Sequence, residues 1–147
     1  MKVSEVMTSD LETVTPDQDI REAAQLMLRA DTGVIPVLED EALTGMITDR
    51  DIAVRAVAEG RGADTPVRDV MSEDVLFVYD DQDVEEAALL MSDEQVRRLA
   101  VKSRKGDKLV GILSLGDIDR SDKADAVEIA HDGITDPGGK HNQSAEG

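Results

Sequence analysis

Cysteine and tryptophan are absent from the 147-residue sequence, which contains one tyrosine and one phenylalanine. Without cysteine the chain can form no disulfide, no thiolate metal site and no cysteine nucleophile. With so few aromatic side chains it lacks the stacking platform that binds single-stranded nucleic acids. Aliphatic packing must therefore supply the stability, and a chain of this length can bury one ordinary core or two small fused cores.

Long apolar runs are also missing. No stretch approaches the roughly eighteen apolar residues that span a bilayer, and the opening "MKVSEVMTSD" has no signal-peptide h-region. We therefore expect a cytoplasmic protein without a membrane partner.

Positive charge is scarce, because 16 basic residues stand against 33 acidic ones and the net charge is −17. Such a surface repels nucleic-acid phosphates and anionic lipid headgroups. The densest basic stretch has acidic neighbours and is more typical of a solvated strand edge and turn; it consists of Arg97, Arg98, Lys102, Arg104, Lys105 and Lys108. We predict no nucleic-acid partner.

An internal repeat organises the chain. At an offset of 64 many residues recur unchanged: Val3, Val6, Met7, Asp10, Val14, Asp17, Gln18, Asp19, Glu22, Ala23, Ala24, Met27 and Val37. After a two-residue insertion in "SRKGDK" the offset is 66, and Asp51 recurs as Asp117. The sequence predicts a first repeat at 1–61, a second at 62–122, and a segment at 123–147 with a helical extension and a disordered end.

Each repeat has the same sequence of periodicities. Ile20, Ala23, Ala24 and Met27 form one helical apolar face, and the second copy repeats this spacing. Short apolar runs precede and follow that helix: "LETVT", "GVIPV" and "LTGMIT" in copy one, and "VLFVY", "RRLAV" and "LVGILS" in copy two. The last run leads into a second helix. The pattern predicts an α/β (α+β) fold made of two tandem β-α-β-β-α repeats.

The stretches "GMITDRD" and "GILSLGD" place Thr48 before Asp51 and Ser114 before Asp117 at a strand-to-helix step. A hydroxyl followed three residues later by an acid is typical of a helix cap. The same step exposes backbone N–H groups and suits a phosphate, while an acceptor-only carboxylate matches a ribose diol. Residue types alone favour the cap, and the two roles are compatible.

The duplicated unit, the "VIPV" strand and the Gly-apolar-x-Thr/Ser-x-x-Asp step resemble the CBS domain, named after cystathionine β-synthase, over residues 1 to about 122. The resemblance implies a tandem pair related by a pseudo-twofold axis, with two clefts that bind adenine nucleotides in many relatives. Stand-alone pairs are usually regulators or sensors. Copy two departs from copy one where Ala100 replaces Pro36 and Arg97 replaces Gly33, which makes unequal clefts an expectation.

With the resemblance, the hydroxyls are expected to contact phosphate and the acids to hold ribose. The predicted ligand-binding residues are Thr15, Ile35, Pro36, Thr48, Arg50, Asp51, Tyr79, Arg98, Leu99, Ser114, Gly116, Asp117 and Arg120. Arg98 is the first candidate for the positive charge that a phosphate needs in so acidic a protein, with Arg50 and Arg120 behind it. We favour the Ser114/Asp117 cleft for a monophosphate.

Catalysis is not expected. Both histidines, His131 and His141, lie outside the repeats, and neighbouring acids such as Asp49 and Asp51 are usually solvated surface rather than acid-base pairs or metal ligands. We predict a regulatory sensor of an adenine nucleotide (AMP, ADP or ATP) that requires no cofactor or metal. The alternatives are an interaction module with empty clefts, and binding of S-adenosylmethionine or NAD.

The helix in "DIAVRAVAEG" is apolar over more than the one face that a surface helix buries. We therefore predict a homodimer, and we expect an as yet unidentified protein to be the regulated partner.

Overall fold

Each half of the computed structural model, which describes residues 1–121, contains a small sheet, one long helix and a short helix after the last strand. The chain divides into two units. One joins Met1–Asp10 to residues 76–121, and we call it the Asp117 unit. The other comprises Leu11–Val75, and we call it the Asp51 unit.

The Asp51 unit contains helix α1 (Ile20–Ala30) and the antiparallel strands β1 (Val34–Glu39) and β2 (Ala42–Thr48). Strand β2 runs directly into α2 (Asp49–Asp51), which continues as a π-helix over Ile52–Val57. A 3-10 turn over Val67–Asp69 follows. Helix α1 begins at Asp19 because Asp19 accepts from the Glu22 backbone while Glu22 caps the Asp19 N–H in return.

The Asp117 unit contains a 3-10 turn (Val3–Glu5), strand β3 (Phe77–Tyr79), helix α3 (Val84–Glu94), strands β4 (Arg98–Ser103) and β5 (Lys108–Ser114), and helix α4 (Leu115–Asp119). The strand order is β3-β4-β5, with β3 parallel to β4 and β4 antiparallel to β5. A capping box at Asp83 starts α3 and a left-handed Gln95 ends it.

Each unit has its own aliphatic core. In the Asp51 unit the buried cluster is Val14, Ile20, Ala23, Met27, Ile35, Val37, Ile47, Ala56, Val67, Val70 and Met71. In the Asp117 unit it is Val3, Val78, Val84, Ala87, Ala88, Met91, Leu99, Val101, Leu113, Leu115 and Ile118. Residues from equivalent repeat positions fill both cores, so the duplicated apolar pattern has the packing role that its periodicity predicts.

The segment that opens each sequence copy packs in the unit of the other copy. Thr8, at the end of the first such segment, exchanges backbone hydrogen bonds of 2.9 Å with Ile112 on β5. Ser72, at the end of the second, exchanges bonds of 2.9 and 2.8 Å with Met46 on β2. Both last strands therefore gain a neighbour, and the compact units cross the boundary between the sequence repeats 1–61 and 62–122.

The β-α-β-β-α order predicted from the sequence is confirmed, with local differences. In copy one the first extended segment is reduced to a parallel bridge between Val14 and Val37, whereas copy two has the strand Phe77–Tyr79. The predicted helical extension and the rest of 123–147 lie outside the described residues. Within residues 1–121, none of the helices has the length and apolar character needed to cross a membrane.

Candidate functional site

The two strand-to-helix turns have nearly identical hydrogen bonds. The Thr48 hydroxyl accepts from the Asp51 N–H at 3.0 Å, and Asp51 Oδ2 accepts from the Thr48 N–H at 3.0 Å. Ser114 and Asp117 repeat this at 3.1 and 3.0 Å. Each acid is thus fixed through one carboxylate oxygen by a capping box, which leaves the other oxygen, Oδ1, for further donors.

A second hydroxyl reaches each acid, and the sequence analysis missed both of these residues. Thr8 Oγ1 lies 3.4 Å from each carboxylate oxygen of Asp117, and Ser72 Oγ lies 3.4 Å from Asp51 Oδ1. These residues follow the repeated Val-Met pairs at equivalent positions. The recurrence of a hydroxyl residue after each Val-Met pair could have marked Thr8 and Ser72 as candidates. The acid that each one contacts could not be predicted, because each segment packs in the unit of the other sequence copy.

The cation beside each acid comes from a different position. Arg120 Nη2 donates to Asp117 Oδ1 at 2.6 Å, from a side chain that is 71% exposed. Arg55 Nη1 is 3.9 Å from Asp51 Oδ1 and donates to the backbone carbonyls of Val70 and Met71 at 3.1 and 2.9 Å. The Asp117 side chain is 6% exposed and the Asp51 side chain 13% exposed, so both acids are largely withdrawn from water.

Strand register places Arg98 beside Ser114. Arg98 is the β4 partner of Ser114, and side chains of directly opposed residues lie about 5 Å apart at Cβ. The equivalent pair in the Asp51 unit is Val34 and Thr48, so that site has an aliphatic neighbour instead. The helix starts differ too, because Gly116 is half-buried whereas Arg50 is exposed.

Four other predicted residues lie elsewhere in the Asp51 and Asp117 units. Ile35 and Leu99 are each 1% exposed, and their side chains pack in the two cores. Pro36 is buried in β1 opposite Met46. Thr15 is exposed, and its N–H donates to Gln18 Oε1 at 2.8 Å.

Tyr79 belongs to a separate cluster on the Asp117 unit. Its ring meets Phe77 edge to face at 5.4 Å between centroids, and the Arg104 guanidinium lies 4.2 Å from the Tyr79 centroid. Arg104 also bonds Asp81 at 2.8 Å, and this hydrogen bond raises the pKa of Arg104. The arrangement stabilises the exposed edge strand β3 through aromatic and cation–π contacts.

The site geometry suits a ligand that carries hydroxyl groups. Each acid is an acceptor held in one orientation, with hydroxyls beside it, and such a group suits a ligand with paired hydroxyl donors. Within residues 1–121, no cluster of three histidine or acidic side chains could hold a metal ion.

Comparison with known proteins gives consistent matches. The family model described as the CBS domain matches residues 3–57 and again 67–123. The CBS domain-containing protein YhcV of Bacillus subtilis is 45% identical over 116 residues, which cover 79% of this chain and 81% of that protein.

Two solved structures extend the similarity to the fold. A protein with CBS domains from Burkholderia ambifaria has a TM-score of 0.75 at 29% identity, covering 85% of this chain and 96% of the other. The structure of CBSX2 in complex with AMP has a TM-score of 0.70 at 28% identity, covering 82% and 94%.

Proposed function

The chain belongs to the CBS-domain family, and on that premise we propose that it is a regulatory module that binds an adenine nucleotide at Asp51 and Asp117 and has no catalytic activity of its own. The observation that carries this proposal is the duplicated arrangement of a capping hydroxyl, a fixed acid and a second hydroxyl from a distant segment. The AMP complex of CBSX2 supports AMP as the first ligand to test.

In this proposal the acids hold the ribose. Asp51 and Asp117 each have one oxygen committed to the cap, and the other oxygen can accept a hydrogen bond from a vicinal diol. A largely buried, pre-oriented carboxylate loses little freedom on binding, and hydrogen bonds to a charged group are stronger than neutral ones. Thr48 and Ser114 keep the acids in this orientation.

The phosphate needs a local positive charge, because a protein of net charge −17 repels an anion at long range. Arg98 and Arg120 supply it on the Asp117 side, where Arg98 stands opposite Ser114 and Arg120 contacts Asp117. Arg50 is the candidate in the Asp51 unit. We therefore expect a monophosphate to prefer the Asp117 site.

We further propose that the protein acts as a homodimer. Val54 and Val57 lie three residues apart on the π-helix and are 45% and 68% exposed, although the helix also buries Ala56 completely. Two exposed valines within one turn of a helix are unfavourable in water and are consistent with an interface.

Calorimetric titration of AMP into the wild type, Asp51→Ala and Asp117→Ala tests the ligand. We expect the wild type to bind AMP and each variant to lose about tenfold or more in affinity at its own site, since a hydrogen bond to a charged group contributes about 1.5–3 kcal/mol. Three identical isotherms would contradict the ribose role.

Thermal shifts with ADP, ATP, NAD and S-adenosylmethionine extend the test, since a ligand at about 100 times its dissociation constant stabilises by about 2.7 kcal/mol. An absence of any shift, AMP included, would favour the second candidate, an interaction module with empty clefts. That candidate is supported by the exposed Val54 and Val57 alone.

A further inference from the structure

Arg120 occupies the carboxylate oxygen that a ligand would use in the Asp117 unit. Asp117 Oδ2 accepts from the Ser114 N–H, so Oδ1 is the oxygen that remains, and Arg120 Nη2 lies 2.6 Å from it. The Arg120 side chain is 71% exposed while Asp117 is 6% exposed. A cation that extends from solvent onto a buried acid can leave without unpacking any core residue.

Arg55 in the Asp51 unit is held in a different way. Its Nη1 donates to the Val70 and Met71 carbonyls, and its distance to Asp51 Oδ1 is 3.9 Å. Asp51 Oδ1 is therefore bonded chiefly by the Ser72 hydroxyl, at 3.4 Å. A diol can approach this oxygen while Arg55 stays on its carbonyls.

We propose that Arg120 makes the Asp117 site selective for phosphorylated ligands over uncharged nucleosides, and that the Asp51 site lacks this dependence on Arg120. The inference rests on the proposed adenosine-type ligand and adds the residue that sets its charge requirement. Arg120 acts as an internal competitor for Asp117 until a ligand displaces it.

The selectivity follows from the charge balance of the exchange. A nucleoside that hydrogen-bonds to Asp117 Oδ1 displaces Arg120 from this oxygen. Because the nucleoside carries no negative charge, the displaced guanidinium has no new anionic partner and the ion pair is lost. A nucleotide displaces the same contact but carries a phosphate to which the released guanidinium can bind, and guanidinium–phosphate pairs are strong and directional. The free energy lost at the carboxylate is thereby offset only for a phosphorylated ligand.

The test compares AMP with adenosine by calorimetry in an Asp51→Asn background, which leaves the Asp117 site as the measured one. With Arg120 present we expect AMP to bind about tenfold more tightly than adenosine, allowing for the exposure of the arginine. In Arg120→Gln this ratio should fall by about threefold or more through weaker AMP binding, with Arg98 retaining the remainder, while adenosine binding is maintained or improved. Arg120→Lys should restore part of the ratio.

Arg104→Gln is the matched control, since it removes the same charge from an exposed arginine of the same unit that pairs with Asp81. It should leave the ratio close to the starting value. In an Asp117→Asn background, which reports on the Asp51 site, Arg120→Gln should not alter the ratio.

The outcomes separate the two proposals. If AMP binds but Arg120→Gln leaves the ratio unchanged, or changes it no more than Arg104→Gln does, the selectivity role is overturned and the ligand proposal stands. If neither AMP nor adenosine binds any form, including the wild type, AMP is not the ligand and this inference fails, while the proposed function is decided by the thermal shifts with the other ligands.

Discussion

Ser72 Oγ lies 3.4 Å from Asp51 Oδ1 although 21 positions separate the two residues in the chain. Thr8 and Asp117 repeat the relationship across 109 positions. Each hydroxyl sits near the end of a segment that then continues into the other unit, at Leu11 or at Leu76. Each acid is therefore hydrogen-bonded to a hydroxyl on the segment that leads from its own unit into the other one.

The two hydroxyls should differ in their importance for binding. Asp51 Oδ1 is oriented mainly by Ser72, because Arg55 is 3.9 Å away, whereas Asp117 Oδ1 already has Arg120 at 2.6 Å. We expect Ser72→Ala to weaken AMP binding at the Asp51 site by about three- to tenfold, the range of an ordinary hydrogen bond. Thr8→Val should change affinity at the Asp117 site by less than about twofold. Titration calorimetry measures both, and equal effects would contradict the assigned difference.

The capping hydroxyls should contribute to stability independently of any ligand. Ser114 is the N-cap of α4 and accepts from the Asp117 N–H at 3.1 Å. Ser114→Ala should lower the free energy of unfolding by about 1 kcal/mol, the usual cost of losing such a cap. Urea unfolding without nucleotide measures it. Ser4→Ala, at an exposed site in the first 3-10 turn, is the control and should change stability by less than about 0.5 kcal/mol.

Local patterns in the sequence identified most of the fold and both acids. Capping boxes and apolar spacing are set by residues within one turn of a helix, so α1, α3 and the Asp51 and Asp117 turns could be predicted. Strand alternation also predicts that Leu99 faces the core, because it lies two residues before Val101 on the same side of β4. The role of Leu99 as a ligand residue, which the resemblance implies, stays a prediction.

Contacts between distant segments could not be predicted. No local signal states that Thr8 lies beside Asp117, because the pairing depends on which unit the leading segment joins. The carbonyl partners of Arg55 depend in the same way on the fold of residues 67–71 against the π-helix. The sequence alone therefore could not show that Arg55 is held by backbone carbonyls whereas Arg120 contacts Asp117 from solvent.

The close approach of the leading segments to the last strands requires glycine. A Cβ added at Gly111 would lie 2.9 Å from the Thr8 carbonyl oxygen and 2.6 Å from Met7 Sδ. Because a backbone atom cannot move aside cheaply, Gly111→Ala should destabilise the protein by about 1–3 kcal/mol and weaken AMP binding at the Asp117 site.

Gly62→Ala is the matched control, since its new methyl group would meet only the Asp64 carboxylate, at 3.1 Å. Thermal and urea unfolding of the two variants should therefore diverge. A Gly111→Ala protein as stable as Gly62→Ala would show that the leading segment is not packed against β5 in solution.

The two exposed valines of the π-helix lead to the last prediction. If Val54 and Val57 form the centre of a homodimer interface, a carboxylate at Val57 must be buried without a partner or the dimer must dissociate. Light scattering at micromolar concentration should give about twice the chain mass for the wild type and a value near 15.9 kDa for Val57→Asp. Leu89→Asp makes the same change at a site that is 51% exposed on α3, and it should leave the dimer intact. A wild-type mass near that of one chain would refute the dimer, and dissociation by both variants would place the interface on a wider surface than this helix.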